Sequence, residues 1–352
     1  AEIDDLFSKV HDKDVKDASK VMALVEKSAM VPTAHILLRG AAANKGDAVQ
    51  PAVPVVLNAK SSMFSTSSDK TSLRRRTLAE WITSPNNALS WRVLANRVWQ
   101  HHFGTGIVAS PSNFGFTGAK PTHPELLDYL AHELITNGGQ WKPLHKLIVM
   151  SATYRQARSE PHALRFNSLQ RMEAEVLRDS ILAASGKLNL IPGGPGIKPR
   201  IRAELLDASQ RNKWPVLDKE SPEQWRRSVY IYVKRQLLMP IMELFDAPTT
   251  TDSCPLRLQS TVPTQALVLM NDDFVEDQAR YLSERATREM GDAVNKIVER
   301  LFIIVTSHFP GEARLRQALV FVKQRETQSD RATALADLAH VLLNSSEFVY
   351  IK

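Results

Sequence analysis

Arg97 and His101 stand four residues apart with Asn96 beside them, in a segment that reads as a helix, so a guanidinium and an imidazole share one face. Such a cluster either serves a site or ties down the backbone carbonyls of the loop that follows. His123 falls where a further helix begins, marked by Thr122 and Glu125 in capping-box spacing and by Pro124 in the first turn. The positive end of that helix disfavours an imidazolium, so a neutral His123 is expected at pH 7. It could act as a general base, serve as a metal ligand or simply hydrogen-bond the first turn, and it is the best candidate for a catalytic residue. His101, His102, His123 and His132 show no metal-binding spacing, and the pair Asp128 and His132 lies opposite a leucine stripe, so no metal site is expected.

Arg171, Glu175, Arg178 and Asp179 fall on the polar face of one helix, where Glu175 can pair with Arg171 or Arg178. A network of that kind fixes a loop more readily than it does chemistry, and carboxylates four apart on a helix seldom flank a scissile bond. Cys254 is the sole cysteine, which excludes an intrachain disulfide and a covalent c-type haem, and without an evident base it reads as a plain thiol. Gly193-Gly194-Pro195-Gly196 is no phosphate loop, since no Lys-Ser/Thr follows and Pro195 removes a donor.

The elements that must position these groups are mainly helical. Apolar spacing predicts helices over 77–83, 90–103, 125–137, 144–154, 169–188, 263–270, 273–290, 293–307, 312–325 and 331–343, with one or two short helices over 4–30. Residues 33–39 and 51–57 read as extended, residues 60–72 as a linker, and 348–351 as an extended tail. The expected architecture is a multi-helical, bundle-like domain with a small β element near the N-terminus. Residues 1–72 would hold the N-terminal helix, β segment and linker; 73–352 would form the helical domain, divisible into 73–200 and 201–352. Three long loops, 104–123, 187–199 and 247–262, are rich in Gly, Pro, Ser and Thr and are expected to be ordered.

Of the 352 residues, 43% are hydrophobic, enough for a sizeable core, and 24% are charged. The net charge of +7 is spread along the chain and lacks aromatic interleaving, which argues against nucleic acid and leaves a mild affinity for acidic glycans open. No apolar run is long enough to span a bilayer. The start, Ala1-Glu2-Ile3-Asp4-Asp5, is not a signal peptide, so the chain is either cytosolic or a mature or excised piece of something longer.

Eight motifs in order carry a resemblance: Arg92–Gly104 (RVLANRVWQHHFG), Asn113-Phe114-Gly115, Pro121–Asp128 (PTHPELLD), Ile148–Gln156, Arg171–Asp179 (RMEAEVLRD), Arg226–Tyr230 (RRSVY), Phe245–Pro248 (FDAP) and Thr261–Asn271, opening TVPTQAL. The series resembles the planctomycete PSD-one domain from about His35 to Tyr350, with a stretch between Arg155 and Arg171 shorter than usual. The resemblance implies a C-terminal part of a longer exported protein, often preceded by a c-type cytochrome domain and encoded beside sulfatases. It supplies no catalytic residues. The expected role is thus a non-catalytic binding or scaffold module of an extracytoplasmic complex, with no cofactor of its own and any haem c on an upstream domain or partner. Its partners would be other domains or subunits, a c-type cytochrome or an acidic glycan among them. The alternatives are a hydrolase of sulfated or acylated polysaccharide and an electron-transfer component without its own covalent haem. The residues expected to organise the site and its loops are Asn96, Arg97, His101, Asn113, His123, Arg178, Asp179, Asp246 and Arg257.

Overall fold

A computed structural model of the chain describes residues 26, 29–57, 70–156, 170–206, 214–235 and 237–351. Most of the 4–30 segment expected to be helical and most of the 60–72 linker lie outside them. Among the described residues the chain is mainly α, with twelve α-helices and two small two-stranded sheets. Its contacts divide it into two compact units. The first holds the described residues up to Val98 with Lys120–Leu147; the second holds Trp99–Ala119 and the described residues from Ile148 onward.

In the first unit, β1 (Ala34–Leu37) and β2 (Lys45–Val49) pair as an antiparallel hairpin. The extended run expected over 51–57 is not a strand: Pro51 and Pro54 cannot donate to a ladder, and Val55–Leu57 closes as a 3-10 turn. Glu26 marks the start of α1 (Arg74–Ile82), accepting from the Ser72 amide at 2.8 Å and from the Thr71 and Ser72 hydroxyls at 2.6 Å. These bonds, those of Ser72 and Thr71 hydroxyls foremost, hold its carboxyl down at about 2. Helix α2 (Ala88–Phe103) begins in this unit, and α3 (Pro124–Thr136) buries Leu127, Leu130, Ala131 and Leu134, the i, i+3, i+4, i+7 stripe of an amphipathic helix. Arg92 and Asp128 pair at 2.5 Å on the exposed faces of α2 and α3. The N-cap of α3 is His123, which makes no side-chain cap bond; Pro124, whose fixed φ suits the first helical position, opens the helix. Helix α4 (Trp141–Met150) follows.

The second unit is built around α5 (Ala174–Ser185) and α8 (Asp273–Met290). Between them come α6 (Pro240–Leu244) and α7 (Pro263–Asn271), and after them α9 (Val294–Thr306), α10 (Glu312–Arg325), α11 (Arg331–Leu343) and α12 (Ser346–Val349). Val275, Ala279, Leu282 and Ala286 form the buried stripe of α8, which packs most extensively on α11 and also on α9 and α5. Where α5 and α8 meet, the Ser185 hydroxyl donates to Gln278 Oε1 at 2.6 Å, satisfying two buried polar groups at once. The tail predicted as extended is helical through α12 before β4 (Tyr350–Ile351), which pairs antiparallel with β3 (Gln170–Arg171). No helix of the described residues is long and apolar enough to cross a membrane.

Candidate binding site

The β3–β4 pairing and the Met172 amide bond to Val349 O, 2.9 Å, fix Arg171 at the entrance to α5. Only 4% of the Arg171 side chain is exposed. Its Nη2 donates to Asp246 Oδ2 at 2.5 Å, and its guanidinium lies over the Phe245 ring, 5.0 Å from the centroid. Asp246 adopts a left-handed backbone, φ 58°, just past α6, as a helix-ending aspartate can. Its carboxylate also accepts from the Ser260 amide at 2.8 Å and the Ser260 hydroxyl at 2.8 Å. From the first turn of α7, Gln265 donates to Leu244 O at 2.9 Å and Ser260 O at 3.2 Å. The Arg171 strand, the turn after Phe245 and the start of α7 are thereby tied into one polar knot.

In the first turn of α5, Glu175 meets Arg257, which donates Nη1 to Oε2 at 2.6 Å and Nη2 to Oε1 at 3.1 Å. Arg257 also reaches Glu173, at 3.2 Å. Burial works to raise the Glu175 carboxyl, but the Arg257 fork and charge outweigh it and hold the group below its ordinary range, ionised at neutral pH. The partner expected for Glu175 was Arg171 or Arg178, its neighbours in sequence; the partner found lies in the long loop before α7.

Arg178 does not lie on a polar face: it is fully buried. Its Nη1 donates to Arg226 O at 3.1 Å and the Ser228 hydroxyl at 3.3 Å, its Nη2 to Gln224 O at 2.6 Å, and the guanidinium sits 5.2 Å from the Phe274 ring centroid. Asp179 accepts from the Ser228 amide at 2.7 Å. Two adjacent side chains of α5 therefore hold the 224–228 backbone from opposite ends. The 189–197 loop is held in turn by Arg226, which donates to the carbonyls of Gly193 and Pro195 and stacks on Tyr230, 4.1 Å from its centroid.

Between these supports lies a cavity of about 210 Å³. Met239, Met242, Ile231, Leu238 and Trp214 supply apolar walls, Glu175 the only charged group among the described residues of the lining, and Thr249 and Thr250 part of the lining that follows Pro248. Asp246 and Arg257 line a smaller neighbouring cavity with Arg171 and Glu173. Composition gave no sign of the larger cavity, because most of its walls come from the irregular segments between α5 and α7.

The remaining expected residues are placed as follows. Asn96, Arg97 and His123 belong to the first unit; His101, Asn113, Arg178, Asp179, Asp246 and Arg257 belong to the second. Asn96 is buried, at 1% exposure, whereas Arg97 and His101 are exposed on the other side of α2. His123 is exposed, with Nδ1 3.0 Å from the Thr122 hydroxyl. Asn113 organises its own loop: Oδ1 accepts from the Gly115 amide at 3.0 Å, Nδ2 donates to the Thr117 hydroxyl at 3.1 Å, and its backbone leaves no room for a Cβ at Gly118. Cys254 is exposed, its thiol directed to Leu256 O at 3.3 Å. Among the described residues no group of three His, Cys, Asp or Glu could hold a metal ion.

Residues 74–322, more than half of the chain, match the model of a family described as PSD1, protein of unknown function (DUF1553). No curated protein and no solved structure matches the chain.

Proposed function

We propose that this chain, which belongs to the PSD1 family of proteins of unknown function, is a non-catalytic binding module that docks a partner through the cavity beside Glu175. One observation carries the reading: the carboxylates around an apolar cavity are already committed to donors. Glu175 is held by Arg257, Asp246 by Arg171 and Ser260, and Asp179 by the Ser228 amide. A general acid or base needs a proton within reach and a pKa near the working pH; a carboxylate locked in an arginine fork and ionised serves neither need. Size points the same way. At about 210 Å³ the cavity is smaller than the roughly 300–1,000 Å³ of small-molecule sites and somewhat larger than a cavity of about 150 Å³ that admits benzene. It suits one side chain better than a saccharide chain or a haem.

The resemblance supports placing the module in an extracytoplasmic assembly with a c-type cytochrome or glycan-processing partner, any haem being carried by an upstream domain or by that partner. The hydrolase and electron-transfer alternatives have no comparable geometric support. The reading is tested with Thr249→Trp, which fills the cavity from an exposed lining residue. Wild type and variant are purified gently from the native host. The variant is expected to fold normally and to lose a protein that accompanies the wild type; equal retention overturns the reading.

A further inference from the structure

We propose that the smaller cavity, beside Arg171, is a site for one ordered water that joins the entrance of α5 to the 257–259 segment of the long loop. The proposal does not depend on what docks at the larger cavity. Three observations carry it.

The first is a buried cation with unused donors. The Arg171 side chain is only 4% exposed, and among the described residues its Nη2 alone finds an acceptor, the Asp246 carboxylate. Nε and Nη1 are closed off from solvent and meet no acceptor of the protein. Enclosed donors of a charged group cost free energy until a partner reaches them. Arg171 and Asp246 both line the cavity, with Glu173, Arg257 and Gln259 among its other walls.

The second is charge. The lining sets two guanidinium groups, Arg171 and Arg257, against two carboxylates, Asp246 and Glu173. Among the described residues Asp246 Oδ1 accepts only the Ser260 hydroxyl, at 3.0 Å, which leaves it a lone pair, and Glu173 meets only Arg257, at 3.2 Å. An anion would accept from Arg171 but stand against both carboxylates. A cation would suit the carboxylates but stand against both guanidinium groups. A neutral group that accepts on one side and donates on the other meets both demands, and water is the smallest that does.

The third is size. The cavity measures about 10 Å³, at the lower end of the roughly 10–15 Å³ that a single water requires. An organic group does not fit. The water accepts from Arg171 and donates to the carboxylate side. It thereby fastens β3 to the loop that carries Arg257 to Glu175.

Two measurements test the site. In crystals of the wild-type protein, at a resolution that shows ordered waters, one density peak is expected within hydrogen-bond distance of Arg171 Nε or Nη1 and of an oxygen of Asp246 or Glu173. After a bromide soak the same place should give no anomalous signal. In solution, the guanidinium protons of Arg171, assigned with Arg171→Lys, should show a rotating-frame Overhauser cross-peak to a long-lived water. The absence of a peak beside Arg171 overturns the proposal, as does a cavity closed by a protein acceptor on Nε or Nη1. A bromide signal at the site overturns it in favour of an anion. Guanidinium protons that meet only rapidly exchanging solvent overturn it in solution, and the crystal result stands alone if Arg171→Lys fails to fold.

Discussion

Arg178 and Glu220 show how far a side chain's role depends on surroundings that sequence cannot supply. Arg178 shares α5 with Glu175 and Asp179 at helical spacing, and that spacing suggests a solvated ion-pair face. Yet Arg178 is fully buried, because it caps the carbonyls of the 224–226 segment, some 46–48 residues on. The importance of Arg178, Asp179, Asp246 and Arg257 was legible; their partners were not, since each depends on a loop returning to α5. Glu220, unremarked in the sequence, is half-buried near this arginine, with its Oε2 enclosed. Burial raises its carboxyl above the ordinary 4.5, with Arg178 and Arg200 pulling the other way. The folded protein therefore holds this proton more tightly than the unfolded chain, and the contribution of Glu220 to stability falls as pH rises from 4.5 through the raised value. Glu220→Gln carries no such proton. In denaturant titrations at successive pH values, the difference between variant and wild type should move in favour of the variant across that window and level off above it. Movement in favour of the wild type would mean that Glu220 is stabilised as the anion.

The helices of the second unit were the most legible elements. Periodicity alone places 273–290, 312–325 and 331–343 as found, because an apolar stripe that recurs over three or more turns is the signature of a helix packed on one face. Short elements were less legible. The 51–57 run has strand-like residues but prolines that break a ladder, and the tail after 345 folds a helical turn before its two-residue strand. The end of α5 depends on Gly186, which takes φ 76° and lets its amide and that of Lys187 bond back to Ala183 and Leu182. A Cβ there would meet only the Arg285 side chain at 3.4 Å, so the penalty is conformational and not steric crowding. Gly186→Ala should cost about 1–2 kcal/mol through the left-handed backbone, seen as a lowered unfolding midpoint, with Gly186→Asn costing less. An unchanged midpoint for Gly186→Ala would show that α5 can end without that conformation.

At the scale of the whole molecule, composition was right about the class and silent about the site. A largely helical chain with ordered loops follows from the spacing of apolar residues and from glycines that need special backbone. A cavity walled by irregular segments follows from neither. The long 247–262 loop carries much of the site, with Ser260 and Arg257 reaching back to Asp246 and Glu175. Long ordered loops are where binding residues concentrate on a rigid scaffold, and here the scaffold is α5 with the helices behind it. The central claim, that a partner docks over this cavity, is tested most directly by a photo-crosslinking residue placed at Val233, in the native host. Val320 and Val341, on α10 and α11, are 54% and 55% exposed, matching Val233 at 55%, and serve as controls for accidental contact. The account predicts a crosslink to one partner from position 233, abolished by Thr249→Trp and absent from 320 and 341. Crosslinks of equal yield from all three positions, or one at 233 untouched by Thr249→Trp, would contradict it.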